Sequence, residues 1–250
     1  MPILSRWIRA GVLGGLVAAA VAVAAAMAMA VSPIMLDLES VGSRAADQIS
    51  VTNPSASPLP VEVLYNAVAY NEDGTYELIP NEDDFLVLPT QALIPPGETQ
   101  VFRIQYLGDP AIDRSRIYEF NFDQVPVAPE EGATAVQIVY SIAAVVAVAP
   151  PQATTRFRPI GGEVVMNENG EPVAQFTIRN DGDRHGYLSQ GTLRLTQVNA
   201  AGRNLWSRTY SSLEISQTIG LGLLPPHQSR TFQAPHVLPS AEGEIRIELR

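Results

Sequence analysis

ATAVQIVYSIAAVVAVAP, residues Ala133 to Pro150, is the stretch whose reading decides the fold. Its even positions carry Val136, Ile138, Tyr140 and Ile142, and its odd positions carry Ala135, Val139, Ala143 and Val145. A half-buried strand alternates apolar and polar side chains. Here only Gln137 and Ser141 are offered to water, so both faces call for a partner. One face can pack on its own sheet, and the other looks for something outside the domain. A central strand covered on both sides would read the same way. A membrane span is disfavoured by Gln137, Ser141 and the Pro150-Pro151 stop. The sharper expectation is an edge strand that pairs with another protein, because natural sandwiches avoid long apolar edges unless recruiting a chain is their task.

Outward from this stretch the chain is written in strands. The candidates are Ile34–Leu38, Gln48–Thr52, Val61–Tyr70, Phe85–Leu88, Thr99–Tyr106 and Ile117–Val127, and no segment carries a sustained helical period. Between them lie Asn53-Pro54, Asn71-Glu72-Asp73-Gly74 and Pro95-Pro96-Gly97, all turn signals. Seven strands at this spacing predict an immunoglobulin-like sandwich. Pro150-Pro151-Gln152 then reads as a stiff hinge. Beyond it the grammar repeats. Ile49–Asn53 has its counterpart in Phe176–Asn180, and Leu93-Ile94-Pro95-Pro96-Gly97 in Leu223-Leu224-Pro225-Pro226-His227. A repeat this long predicts two related all-β sandwiches, 31–150 and 151–250.

Residues 1–30 read as a signal peptide: Arg6 and Arg9 precede an apolar run from Gly11 to Met29, and Ala28-Met29-Ala30 places the cut after Ala30. The rival is an uncleaved anchor, since the run approaches spanning length. The 250-residue chain has a formal charge of −10, with 16 basic against 26 acidic residues. Without Arg6 and Arg9 the charge is −12, which argues against nucleic acid and anionic membrane as partners. There is no Cys, which excludes disulfides, thiol catalysis and zinc–thiolate sites, and no Lys.

No catalytic or cofactor constellation is present. His185, His227 and His236 fall in turn-rich segments without metal-ligand spacing and read as exposed loop residues. Glu72-Asp73, Glu82-Asp83-Asp84 and Glu168 read as solvated turns without an EF-hand pattern. No nucleophile elbow, P-loop or dinucleotide fingerprint occurs. The expectation is a binding protein, not an enzyme, with no metal and no cofactor.

The order of motifs over 31–250 resembles the periplasmic chaperones of the chaperone–usher pathway of pilus assembly. The residues that carry the likeness are Val31-Ser32-Pro33, Ile49–Asn53 with Pro60-Val61, and Asp84-Phe85-Leu86-Val87-Leu88-Pro89. They continue with Ile94-Pro95-Pro96-Gly97, Gln100–Ile104, Tyr118, Gln124-Val125-Pro126 and the long strand, then Asn180-Asp181-Gly182 and Leu223-Leu224-Pro225. The Gly108-Asp109-Pro110 loop and short second domain most resemble the archaic, Csu-type branch. The resemblance implies two immunoglobulin-like domains in an L-shaped (boomerang) arrangement, exported to the periplasm. It implies partners that are pilin subunits and an outer-membrane usher, with no nucleic acid and no membrane insertion after cleavage.

By the family's pattern the long strand is lent to a subunit whose fold lacks one strand, with Val136, Ile138, Tyr140 and Ile142 filling the subunit's groove. The family's usual anchor for the subunit's terminal carboxylate, an Arg on the first strand and a Lys on the long strand, is replaced here by Ile34 or Met35 and by Val145. If the long strand and Ile117–Val127 pair around Ala128–Gly132, opposing residue numbers sum to about 261. Arg116 then faces Val145 and is the expected carboxylate clamp. Arg103, which matches a family Arg beside the cleft, either shares that role or is structural. The alternative reading is a structural or adhesive immunoglobulin-like surface protein, for instance a pilus subunit. It would lack its own last strand and carry a free donor extension.

Overall fold

Alternation of inward apolar and outward polar side chains builds the first domain as two facing sheets. The computed structural model describes residues 29–71, 73–126 and 139–250. The first domain's strands are β1 (Ala30–Ser32), β2 (Met35–Glu39), β3 (Ala46–Thr52), β4 (Leu59–Tyr70) and β5 (Tyr76–Pro80). They continue with β6 (Phe85–Leu88), β7 (Gln91–Ile94), β8 (Thr99–Tyr106), β9 (Arg116–Gln124) and β10 (Ser141–Ala149). One sheet runs β1-β3-β8-β6, and the other runs β2-β10-β9-β4-β5 with β7 also on β4. Ile49, Val51, Phe85, Val87, Phe102 and Ile104 point inward from the first sheet. Val61, Val63, Phe120, Phe122, Val146 and Val148 meet them from the second. Phe85 takes the edges of Tyr65, Tyr106, Tyr118 and Phe120 at centroid distances of 4.8–5.4 Å, a geometry that adds to the area buried.

The first sheet begins earlier than the sequence led us to expect. Met29 is 3% exposed and belongs to the core, and Ala30 pairs with Thr52. The cut expected after Ala30 therefore falls inside β1 and would remove a buried side chain. β5 and β7 also went unforeseen: β5 is exposed at every residue and so carries no burial pattern.

The second domain contains β11 (Phe157–Met166), β12 (Pro172–Asn180), β13 (Gly186–Tyr187), β14 (Leu193–Val198) and β15 (Asn204–Tyr210). A short helix α1 (Ser212–Thr218) follows, then β16 (Leu223–Leu224), β17 (Ser229–Val237) and β18 (Glu244–Leu249). Its main sheet runs β15-β14-β18-β11-β12-β17, and β13 pairs with β16. The helix is one short element within an otherwise all-β frame. Ser211 and Glu214 form a capping box, a start signal legible in the sequence but followed by only two turns.

The internal repeat has a physical basis. Asn53 and Asn180 are both fully buried. Asn53 Nδ2 donates to the carbonyl oxygens of Ser57, Ile94 and Pro95 at 2.8, 2.9 and 3.2 Å. Asn180 Nδ2 donates to those of Arg184 and Leu224 at 2.7 and 3.2 Å, and its Oδ1 accepts from the Gly182 and Arg156 amides. In each domain one amide side chain thus ties a strand end to the loop carrying the Pro-Pro pair. The residue after that pair is left-handed in both, Gly97 at φ 75° and His227 at φ 59°. His227 bears that conformation while its ring holds Asp183 at 2.8 Å. Unmet buried carbonyls and amides cost about 1–3 kcal/mol each. Asn180→Ala is therefore expected to lower the unfolding free energy by about 2–4 kcal/mol, read by urea denaturation. A change below roughly 0.5 kcal/mol, the size of an ordinary surface substitution, would show that this bond set is dispensable.

Candidate functional site

β10 is two strands in one. From Val145 to Ala149 it lies between β9 and β2, antiparallel to the first and parallel to the second. Upstream, Ser141–Ala144 pairs with Asp123–Phe120 of β9 on one side only. β2 begins at Met35, opposite Val145, and the last bond across is the Val145 amide to the Ile34 carbonyl at 2.9 Å. Among the described residues nothing pairs with the other side of Ser141–Ala144. The edge expected from sequence is thus confined to the upstream half, and the downstream half is the covered central strand.

The faces of β10 separate by parity. Ala144, Val146 and Val148 are fully buried in the first domain's core, and Ile142 packs half-buried against it. Tyr140 continues that row, half-buried, with its carbonyl accepting from the Gln124 amide. Val136 and Ile138 lie outside the described residues. On the odd face, Val139 is 44% exposed and Ala143 is open. Val145 and Ala147, by contrast, are covered by Tyr187, Leu221 and Leu223 of the second domain. The outside partner expected for this face is, in the downstream half, the chain's own second domain.

The pairing register corrects the position of Arg116. Ser141 faces Asp123 and Val148 faces Arg116, while Val145 faces Glu119. The shift from the expected register is three residues, and an odd shift exchanges the faces of the sheet. Arg116 therefore shares the parity of the inward Tyr118 and Phe120, whereas Val145 points outward. It emerges at the rim of a cleft of about 410 Å³ shared with Asp84, Arg114, Ser115 and, from the second domain, Pro225, Pro226 and Gln228.

Asp84 organises that rim. Its carboxylate accepts from Tyr118 Oη at 2.6 Å and Asn81 Nδ2 at 3.0 Å, and its carbonyl accepts from the Leu107 and Gly108 amides. A side chain at Gly108 would strike the Asp84 carboxylate and the Tyr106 ring, which is why the Gly108-Asp109-Pro110 loop starts on glycine. Burial, then the bond to Asp84, pushes the Tyr118 hydroxyl up, so it stays protonated as a donor. Arg116 is 45% exposed and reaches Asp84 only at 4.0 Å, leaving most of its donors to the cleft. Arg103 lies on β8 in the opposite sheet, between Gln48 and Leu88, on its exposed face. The structure does not bring the two arginines together.

Of the positions expected to replace the basic pair, Met35 lies beside Val145, while Ile34 is half exposed. Met35 and Val145 join Val68, Tyr70, Ile117 and Tyr187 in an apolar seam between the domains. Beside the seam is a polar bridge that sequence reasoning missed. His185, expected in an exposed loop, is 2% exposed. Its Nε2 lies 2.9 Å from Asp37 Oδ1 and its Nδ1 2.9 Å from Ser115 Oγ, and its amide donates to the same Oγ at 3.0 Å. Tyr187 Oη donates to Asp37 at 3.0 Å. With the proton on Nε2 every group has a partner: the ring donates to Asp37 and accepts from Ser115. The trio has the residue types of a hydrolytic triad, but Ser115 Oγ is buried and committed to the histidine's own amide, so it serves as a clasp.

A sequence search among curated proteins gives no match. Residues 30–153 match the family described as pili and flagellar-assembly chaperone, PapD N-terminal domain. Among solved structures, the class 5 fimbriae chaperone CfaA is similar at 13% identity and a TM-score of 0.53, over 89% of this chain and 99% of that one. The Salmonella enterica SafA pilin–SafB chaperone complex gives a match at 18% identity and a TM-score of 0.51, over 89% and 95%. At such identities these structures establish the shared two-domain fold.

Burial pushes the Asp37 carboxyl up, but the hydrogen bonds from His185 and the Tyr187 hydroxyl and the Arg184 charge outweigh it and hold the pKa below the usual range. A depressed carboxylate stabilises the folded state above its unfolded value, about 3.9, and that contribution is lost as pH falls through the folded value. The clasp is therefore expected to loosen below about pH 4. Cleavage by an acid protease in 150–156 should rise below that pH and should already be raised at neutral pH in Asp37→Ala, probed with a neutral protease. Cleavage that ignores both would show that the clasp does not hold the domains.

Proposed function

The chain is a PapD-like periplasmic pilus chaperone of the chaperone–usher pathway, and on that premise we propose that it holds its pilin subunits by lending them the strand upstream of Val145. It binds pilin subunits and is not an enzyme; delivery to an outer-membrane usher follows from the pathway. The observation that carries the strand reading is the unpaired side of Ser141–Ala144. Main-chain hydrogen bonds along that edge supply affinity, and alternate side chains filling pockets supply specificity. In sequence, Val136, Ile138 and Tyr140 share the parity of the core residues Val148, Val146 and Ala144, and they are the side chains assigned to the subunit's groove. Ile142 closes the seam between the domain's core and the subunit's. Each side chain buried in this way contributes about 1.5–3 kcal/mol.

The finer assignments belong to the same proposal. The Gly108-Asp109-Pro110 loop and the short second domain favour the archaic, Csu-type branch. Pro150-Pro151 is the boundary between the two domains. Arg116, opening on the interdomain cleft, receives the subunit's terminal carboxylate, with a guanidinium suited to bidentate binding. Arg103, exposed on the opposite sheet, does not share that clamp. The leader is cut after Ala28, because Ala26-Met27-Ala28 repeats the small-x-small pattern one step upstream and spares Met29. Intact mass of the periplasmic protein should give Met29 as the first residue; a start at Val31 would contradict this.

Periplasmic co-purification with a co-expressed candidate pilin tests the strand. Wild type should bring down a one-to-one complex, Ile138→Asp should bring down almost none, and Arg116→Ala should weaken it by about tenfold, the loss of one charged hydrogen bond. Retention of the pilin by Ile138→Asp would favour the alternative, an immunoglobulin-like surface protein.

A further inference from the structure

The charge of the chain is unevenly shared. Residues 31–150 hold 17 Asp and Glu against 4 Arg, a formal charge of −13, while residues 151–250 hold 9 against 10. Solubility alone does not call for such asymmetry, since one acidic face on either domain would serve it. The acids also gather beside the open edge. On the outward face of the second sheet, Glu62 is opposite Asp123, which is opposite Ser141. In the next outward rows, Leu64, Asn121 and Ala143 align, then Asn66, Glu119 and Val145. Glu62, Asp123 and Glu119 have neutral hydrogen-bond partners, Gln91, Ser141 and Asn121. Among the described residues no Arg lies within ion-pair distance of the three. Arg44 and Arg114 are engaged with Glu39 and Asp113, Arg116 turns to the interdomain cleft within 4.0 Å of Asp84, and Arg103 lies on the opposite sheet.

We infer that the subunit segment pairing with the open side of Ser141–Ala144 is basic, and that its Lys or Arg side chains cross β10 toward Asp123 and Glu119 of β9, with Glu62 on the strand behind them adding to the negative field. The inference rests on the strand-donation reading and adds the chemistry of the partner to it. Geometry permits the crossing. An added strand lies about 4.8 Å from β10 and so about 10 Å from β9. The outward residues between them are Ser141 and Ala143, small enough for the four-carbon stem of a lysine to lie over. The −13 domain also draws a basic partner from a distance, an attraction that weakens as salt shortens the screening length from about 10 Å at 0.1 M to about 3 Å at 1 M.

The test uses two synthetic peptides of about ten residues, a length near the upper end for single strands. They alternate Val and Thr and differ only in bearing Lys or Glu at the positions facing Ser141 and Ala143. Binding to the mature chain is measured by fluorescence anisotropy across a salt series. The Lys peptide is expected to bind at least tenfold tighter at low salt. The advantage should vanish at 1 M salt and in the triple variant Glu62→Gln, Glu119→Gln, Asp123→Asn, whose fold is checked by its melting curve. Equal binding of the two peptides would overturn the inference and leave strand donation standing. Failure of both peptides to bind would overturn both.

Discussion

The register at which β2 stops governs the rest of the molecule. Because its pairing with β10 ends opposite Val145, one strand carries both a closed half and an open half. Backbone amides and carbonyls removed from water need partners, and the closed half finds them in β2 and β9. The open half has β9 alone, and its remaining donors and acceptors define a docking line whose direction and spacing are those of a sheet. The parity of the core residues then fixes which side chains an added partner would meet.

The junction between the domains is where this chain departs from the pattern its family resemblance implied. An apolar seam around Met35, Val145 and Tyr187 occupies the place expected of an Arg–Lys pair. Exchanging buried charges for packed apolar groups removes a desolvation cost. The polar work is moved aside to Asp37, His185 and Ser115, one residue set spanning both domains with every hydrogen bond matched. The covered half of β10 is held in this junction, so the second domain helps fix the strand whose upstream half remains open.

Much of the first domain was legible in the sequence because its strands alternate. Phe85–Leu88 and Thr99–Tyr106 coincide with the observed elements, since each interleaves buried Phe, Val, Ile or Tyr with exposed neighbours. The Asn–Pro-Pro repeat was legible as a pattern, but its cause, a buried amide meeting carbonyls some forty residues away, was not. β5 was missed because a fully exposed edge has no periodicity. Arg116 was misplaced because β9 and β10 pair three residues away from the register that composition suggested, and a three-residue slip reverses the faces. His185 carried no local signal at all: Asp37 and Ser115 lie 148 and 70 positions away.

Amide hydrogen exchange across 133–149, in the free chain and in its complex with a pilin subunit, is the most direct test of the central claim. If the open side of β10 receives a strand, the Ser141 and Ala143 amides, which face away from β9, will exchange freely alone and become protected by several orders of magnitude in the complex, while Val145–Ala149 will be protected in both. A complex that forms while residues 133–144 exchange at their free rate would contradict strand donation and place the binding surface elsewhere.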